Sequence, residues 1–344
     1  MEMVATRHSQ PATRSTTEKI GASMGTLAQQ LDVSPDLLLI TGALVLLLAL
    51  TTIGYGLLRQ RLLPVRSLAN LPKIGSRIAF LWVMTIAYLL ALLISPKLLI
   101  LYIWFIAFLA LKEFFSMTPS RRTDRRVLFV AYLSLPIQFG FILLGWRQAF
   151  TAFVPIWVFL VLPMVMVIMG ETRGFLRAWS TIGWGIITTV YSLGFLAYLL
   201  VLPATPSQPA GGLGLFLFLL ALAQLNHTTQ YAFGRLFPSP ALSLKVSQTR
   251  NWASLIGSII IASPVAFFLA PLLTPFSGVS GAGMGILLAL GAFIGYIILS
   301  AIKHDLQIRD RGSMTPGQGG VLNRIDTFVY TAPLFYYLTI QLYF

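Results

Sequence analysis

Long apolar runs alternate with short polar connections along most of this 344-residue chain. A hydrocarbon core about 30 Å thick is crossed by a helix of roughly 20 mostly apolar residues. The pattern predicts ten such spans, near residues 37–58, 78–95, 98–111, 127–144, 149–169, 181–202, 213–232, 253–273, 282–302 and 328–344. The expected fold class is therefore all-α, a polytopic transmembrane bundle of nine to ten spans. The third stretch is short unless Lys112 snorkels and Phe114 and Phe115 extend it. Spans two and three could also form one hairpin turning at Ser95-Pro96. The first 36 residues are polar and lack the basic-then-apolar pattern of a cleaved leader, so Leu37 to Leu58 reads as a retained helix. The expected organisation is a tail over 1–36, helices over 37–212 and a C-terminal membrane domain over 213–344.

Composition agrees with the pattern. The chain is 57% hydrophobic and 10% charged, against roughly 25% charged residues in soluble domains. It has no cysteine, which excludes disulfides, thiolate catalysis, iron–sulfur clusters and cysteine zinc sites. A net charge of +14 would suit nucleic acid, but the positions of the charges point elsewhere. Of 24 Lys and Arg, 19 fall in the odd-numbered connections, while the even ones carry only Lys97 and Arg147. Basic residues resist translocation, so the odd connections are expected on the cytoplasmic side, facing anionic lipid, with both termini outside. Arg121, Arg122, Arg125 and Arg126 read either as plain topology signals or as ligands for an acidic lipid or nucleotide. Glu171 reads as a partner for Arg173 or Arg177, and Gly291 with Gly295 as a small-residue face for close helix packing. There is no fixed-period repeat and no matched pair of broken helices of the transporter kind.

Acidic residues are scarce, only ten, and three of them, Asp305, Asp310 and Asp326, fall in the ninth connection. The 133 residues from Thr172 to His304 contain none. A site for a hard cation in the membrane domain is therefore expected at the ninth connection. Its glycines expose backbone N–H groups which, flanked by Arg and Lys, can hold phosphate oxygens, while Asp310 and Asp326 could hold Mg²⁺ on the same phosphates. The alternative is a solvated loop whose acids pair with neighbouring arginines.

From Ser300 to Asp326 the chain aligns without a gap to a long signature, Ser-x-x-Lys-Arg, four residues, Lys-Asp, Gly, then Pro-Gly-His-Gly-Gly-x-x-Asp-Arg-x-Asp. Ser300, Lys303, Asp310, Gly312, Pro316, Gly317, Gly319, Gly320, Arg324 and Asp326 match it, and Arg309 keeps the charge of a Lys. His304, Gln318 and Asn323 depart from it, standing for Arg, His and Asp. Asn226-His227-Thr228-Thr229-Gln230-Tyr231 and the residues through Phe237 form a second block, with His227 where the pattern has an acid. Ser247 to Gly257 forms a third, with Arg250 for Lys, Asn251 for Thr and Ala253 for Glu. On these blocks the stretch from about Leu213 to Phe344 resembles the phosphatidate cytidylyltransferase (CDP-diacylglycerol synthase) family, as a divergent member.

The resemblance implies an integral-membrane transferase of phospholipid biosynthesis that joins CTP to phosphatidate, or a related acidic lipid, with release of pyrophosphate. Such a transfer needs positioning and charge neutralisation more than covalent catalysis. It implies catalytic roles for Asp310, Lys303, Arg309 and Arg324, and substrate binding by Arg235, Arg250, Ser247, Gly319, Gly320 and Gln318. Asp310 and Asp326 would hold Mg²⁺ or Mn²⁺. His227 reads as a third ligand or as a structural histidine. Membrane lipids are expected partners and nucleic acid is not; a homodimer is among the assemblies open to the chain. The expected location is the plasma or inner membrane, with the site on the cytoplasmic face. Two other readings stay open: a catalytically weakened relative that binds lipid or nucleotide without turnover, and a membrane transporter, which would need ionisable residues facing a mid-membrane cavity.

Overall fold

A computed structural model describes residues 41, 42, 45, 49, 52, 53, 56, 82, 83, 85–90, 94–118, 124–170, 174–204, 210–237, 251–305 and 320–344. Every described element is a helix or turn, and no strand occurs among the described residues. Seven of the described helices are long and apolar enough to cross a membrane. They are α1 (Pro96–Met117), α2 (Arg126–Leu143 of a helix beginning at Asp124), α3 (Arg147–Ile168), α4 (Phe175–Val201), α5 (Gly211–Gly234, continuing to Leu236), α6 (Trp252–Leu273) and α7 (Gly278–Asp305). A single turn, α8 (Leu322–Ile325), leads into α9 (Phe328–Tyr343), whose 16 residues extend about 24 Å at 1.5 Å per residue. The chain is an integral membrane protein with an all-α architecture. Only scattered residues of the first two expected spans are described, all but Ile94 and Ser95 helical; Trp82 Nε1 donates to Thr52 Oγ1 across them at 2.9 Å.

Ile94 and Ser95 are not helical, and α1 starts at Pro96. Ser95 Oγ accepts the Lys97 N–H at 3.3 Å and Pro96 opens α1, where its missing N–H costs nothing. The helix then runs past the expected end at residue 111 to Met117. Phe114 and Phe115 extend it by packing beneath α4, where a Cβ on Gly185 would lie 2.8 Å from the Phe114 ring.

Two wide turns interrupt the long helices α3 and α4, at Trp157–Val161 and Ile187–Tyr191. The first has a visible cause. In the wider register the Leu162 N–H reaches the Trp157 carbonyl, and the next donor in line would be Pro163, which has none. The Val158 carbonyl left over accepts the indole N–H of Trp179 on α4 at 2.8 Å. A backbone group with no water to turn to is thus satisfied by a neighbouring helix.

Contacts between helix ends sort the connections into two sets. At one end Tyr198 Oη donates to the Gly145 carbonyl at 3.1 Å, and a Cβ on Gly214 would meet the Leu273 carbonyl at 2.5 Å. The connections after α2, α4 and α6 meet there. At the other end α5 hands over to α6, α7 meets α8, and the last turn of α1 touches the start of α8. The basic odd-numbered connections that flank the described helices share this second end. One continuous core spans the bundle, with Phe150 and Tyr336 each in ring contact with Phe195 and Tyr198 and with each other, and Tyr88 stacked on Phe216 at 6.1 Å. Gly291 and Gly295 do form a close face. A Cβ on Gly295 would come within 2.7 Å of the Asp326 carbonyl, so only glycine lets α7 approach the turn that precedes α9.

Candidate functional site

Helix α7 ends in the basic residues Lys303 and His304, which suit the partial negative charge of a helix C-terminus. The Lys303 ammonium donates to Asn323 Oδ1 in α8, so two signature positions 20 residues apart meet. Asn323 stands where the pattern has an acid, and here its neutral amide oxygen takes the lysine. Asp305, outside the matched positions, is exposed at the helix end.

Asp326 is 3% exposed and directs Oδ1 at its neighbour, accepting the Thr327 N–H at 2.6 Å and the Thr327 hydroxyl at 3.1 Å. Both bonds fall on one oxygen and leave Oδ2 outside them. Arg324 is half-buried, and burial pulls its guanidinium below the usual value while Glu113 and Tyr102, both on α1, oppose that shift. Arginine stays charged through such a change. It is thus a cation held in a partly dry place by groups from a distant part of the chain.

Asn226 and Gln230 follow each other one turn apart on α5, on the same face. Gln230 Nε2 donates to Ser258 Oγ on α6 at 3.2 Å and to the Ala289 carbonyl on α7 at 3.0 Å, locking three helices together. Asn226 is fully buried, and among the described residues neither atom of its amide has a hydrogen-bond partner. Leaving such a group unpaired costs about 1–3 kcal/mol. His227, next to it, is half-buried. Asn251, which replaces a threonine of the pattern, caps α6: its Oδ1 accepts the Ser254 N–H at 2.9 Å, while Nδ2 donates to the Gly234 and Phe237 carbonyls, each at 3.2 Å. That residue ties the end of α5 to the start of α6.

Of the site residues expected from sequence, Lys303, Gly320, Arg324 and Asp326 lie together at this end of the bundle. Ser247, Arg250, Arg309, Asp310, Gln318 and Gly319, with the side chain of Arg235, fall outside the described residues, as does Glu171. Among the described residues no three His, Asp or Glu side chains form a cluster fit for a metal ion. Sequence reasoning passed over one residue entirely. Glu113, 5% exposed near the end of α1, accepts the Leu322 N–H through Oε2 at 3.2 Å and lies directly over Gly320. The signal that could have found it is an acid at the end of an apolar helix in a chain with only ten acids.

The model of the Cytidylyltransferase family matches residues 75–342. This chain belongs to that family. The match begins well upstream of the blocks that carry the resemblance and takes in α1 with Glu113, so membership rests on both halves of the bundle. The Escherichia coli K12 protein YnbB, described as uncharacterized, is 37% identical over 234 residues, 67% of this chain and 76% of its own length. The phosphatidate cytidylyltransferase of Brucella abortus is 28% identical over 194 residues, 52% of this chain and 71% of its own length. That of Synechocystis sp. is 35% identical over 86 residues, 25% of this chain and 28% of its own length. At the level of the family, these relatives make the chain a membrane-bound transferase of the CDP-lipid type.

Proposed function

We propose that this chain is a CTP:phosphatidate cytidylyltransferase, making CDP-diacylglycerol and pyrophosphate. The observation that carries the reading is the meeting of Lys303, Asn323, Arg324 and Asp326 where α7 and α8 converge, at the end of the bundle that holds the basic connections. In the reaction an oxygen of the phosphatidate phosphate attacks the α-phosphorus of CTP. The bond to the bridging oxygen of the β-phosphate breaks, and pyrophosphate carries that electron pair away. Lys303 and Arg324, with Arg309, Arg235 and Arg250, are placed in sequence to bind and orient phosphates, and their charge offsets what gathers on the leaving group. Ser247, Gln318 and the N–H groups of Gly319 and Gly320 are candidates for the same phosphates or the nucleotide.

Asp310 and Asp326 would hold Mg²⁺, or Mn²⁺, with His227 a further candidate ligand. The Oδ2 of Asp326, left out of both bonds from Thr327, fits the oxygen-donor preference of such a cation. When bound, the metal would draw charge from the CTP phosphates. The weight of Lys and Arg at this end supports a cytoplasmic placement, facing CTP, in the plasma or inner membrane.

A second reading is favoured by one observation. Asn323, neutral where the pattern has an acid, is engaged by Lys303, which leaves fewer anionic ligands for a metal. On that reading the chain binds lipid or nucleotide without turnover. Incubating purified protein with labelled CTP, phosphatidate and Mg²⁺ or Mn²⁺ separates the two. Formation of CDP-diacylglycerol with pyrophosphate supports the enzyme, CTP binding without product supports the second reading, and absence of both in folded protein removes cytidylyl transfer altogether.

A further inference from the structure

Glu113 lies 209 positions before the backbone N–H it accepts. A buried carboxylate is costly unless its oxygens are met, and among the described residues this one is met from the α8 segment, by the Leu322 N–H at 3.2 Å and the nearby Arg324 charge. The opposite face of the contact is equally specific. Any Cβ at position 320 would overlap the Glu113 carboxylate, so the second glycine of the Gly-Gly pair leaves room for an acid. A backbone donor, a glycine and an arginine, all within five residues, thus converge on one carboxylate from another part of the chain.

We propose that Glu113 is a positioning residue for the nucleotide-phosphate site, orienting Arg324 and fixing the turn from Gly320 to Asp326. This rests on the enzyme reading above for its consequence in catalysis, but not for the contact itself. Glu113 places a negative charge near Arg324, which favours one setting of its planar fork and leaves N–H groups for a phosphate. The same anchor sets the place of Asn323, and through it the Lys303 ammonium. Glu113 touches no reacting atom in this arrangement. Its effect is transmitted through the turn.

The experiment uses the full-length protein in detergent. Glu113→Gln keeps the size and can still accept the Leu322 N–H, but it removes the charge opposite Arg324. The expected result is a rise in KM for CTP of about tenfold with kcat nearly unchanged, the signature of lost ground-state and transition-state binding in equal measure. A merely structural role would instead lower the active fraction, and with it the apparent kcat, at constant KM. An unchanged or lowered KM overturns the proposal. Thermal unfolding supplies a readout independent of turnover. Gly320→Ala should lower the midpoint by several degrees in the wild-type background and by little when combined with Glu113→Ala, because the second change removes the overlap. Equal losses in both backgrounds overturn the contact. If the wild type transfers no cytidylyl group, the enzyme reading fails while the unfolding cycle still decides the contact.

Discussion

The two ends of the bundle are closed by different chemistry. At the end where α5 begins, helices meet through backbone and aromatic groups: the Leu273 carbonyl over Gly214, and Tyr198 on Gly145. At the end where α5 stops, closure is made by Glu113, Asn251, Lys303, Asn323 and Asp326. Hydrocarbon offers no hydrogen bonds, so fastening by small residues is the general solution for helices in lipid. Polar and charged fastening is costly there and is kept where a polar ligand must be admitted. The first end therefore answers for stability and the second for chemistry.

The strongest test of that division is loss of the acid expected to hold the metal. Asp310→Asn should abolish cytidylyl transfer, a loss of more than about 1,000-fold, because an amide cannot neutralise a divalent cation. Asp305→Asn should leave turnover within about twofold, since Asp305 is exposed and outside the matched positions. Equal losses in both variants, measured with labelled CTP, would show that the acids of this connection act only as diffuse charge.

A change at the opposite end should separate stability from activity. Gly214→Ala drives a methyl group against the Leu273 carbonyl, 2.5 Å away, and should destabilise by about 1–3 kcal/mol. Thermal unfolding in detergent would read this, and the KM for CTP of the protein that remains folded should not move. A shifted KM would mean that the two ends are coupled.

Restoring acids sharpens the comparison at the chemical end. His227→Asp with Asn323→Asp should raise Mg²⁺-dependent CTP binding several-fold if the native residues weaken a metal site. A fall in Mg²⁺ activity, alongside native turnover that is better with Mn²⁺, would instead show a working variant of the site. The smallest effect is expected from Asn251→Thr. Threonine can still cap α6, but its single hydroxyl proton cannot serve both the Gly234 and Phe237 carbonyls as the amide does, so a loss of about 1 kcal/mol is expected with turnover little changed. Calorimetry of the purified variant measures the first and the transfer assay the second.

Apolar length alone placed the described helices from α1 onward, because in a bilayer every backbone group must be satisfied locally and apolar runs can do little else. The third span is instructive. It reads as ending near residue 111 unless Phe114 and Phe115 extend it, and they do: the helix runs to Met117 with Glu113, which the sequence did not single out, buried beside them. The partner that permits this is Leu322, and no local pattern announces it. At the site, the spacing from Ser300 to Asp326 marked out Lys303, Arg324 and Asp326, yet not that Asn323 would receive Lys303. Asn251 reads in sequence as a departure from a pattern, whereas in the fold it is a cap that joins two helices. Such roles depend on which helix ends meet, which spacing does not encode.

The contact between Glu113 and Leu322 also sets an order of events during synthesis. The carboxylate emerges 209 residues before its backbone partner, which at 5–20 residues per second amounts to roughly 10–40 s. Through that interval the Glu113 carboxylate lacks the Leu322 N–H that it accepts in the finished fold. A polypeptide broken off before residue 320 would never supply that donor, so the segment from Gly320 onward acts as the closing stitch for a carboxylate that α1 presents much earlier.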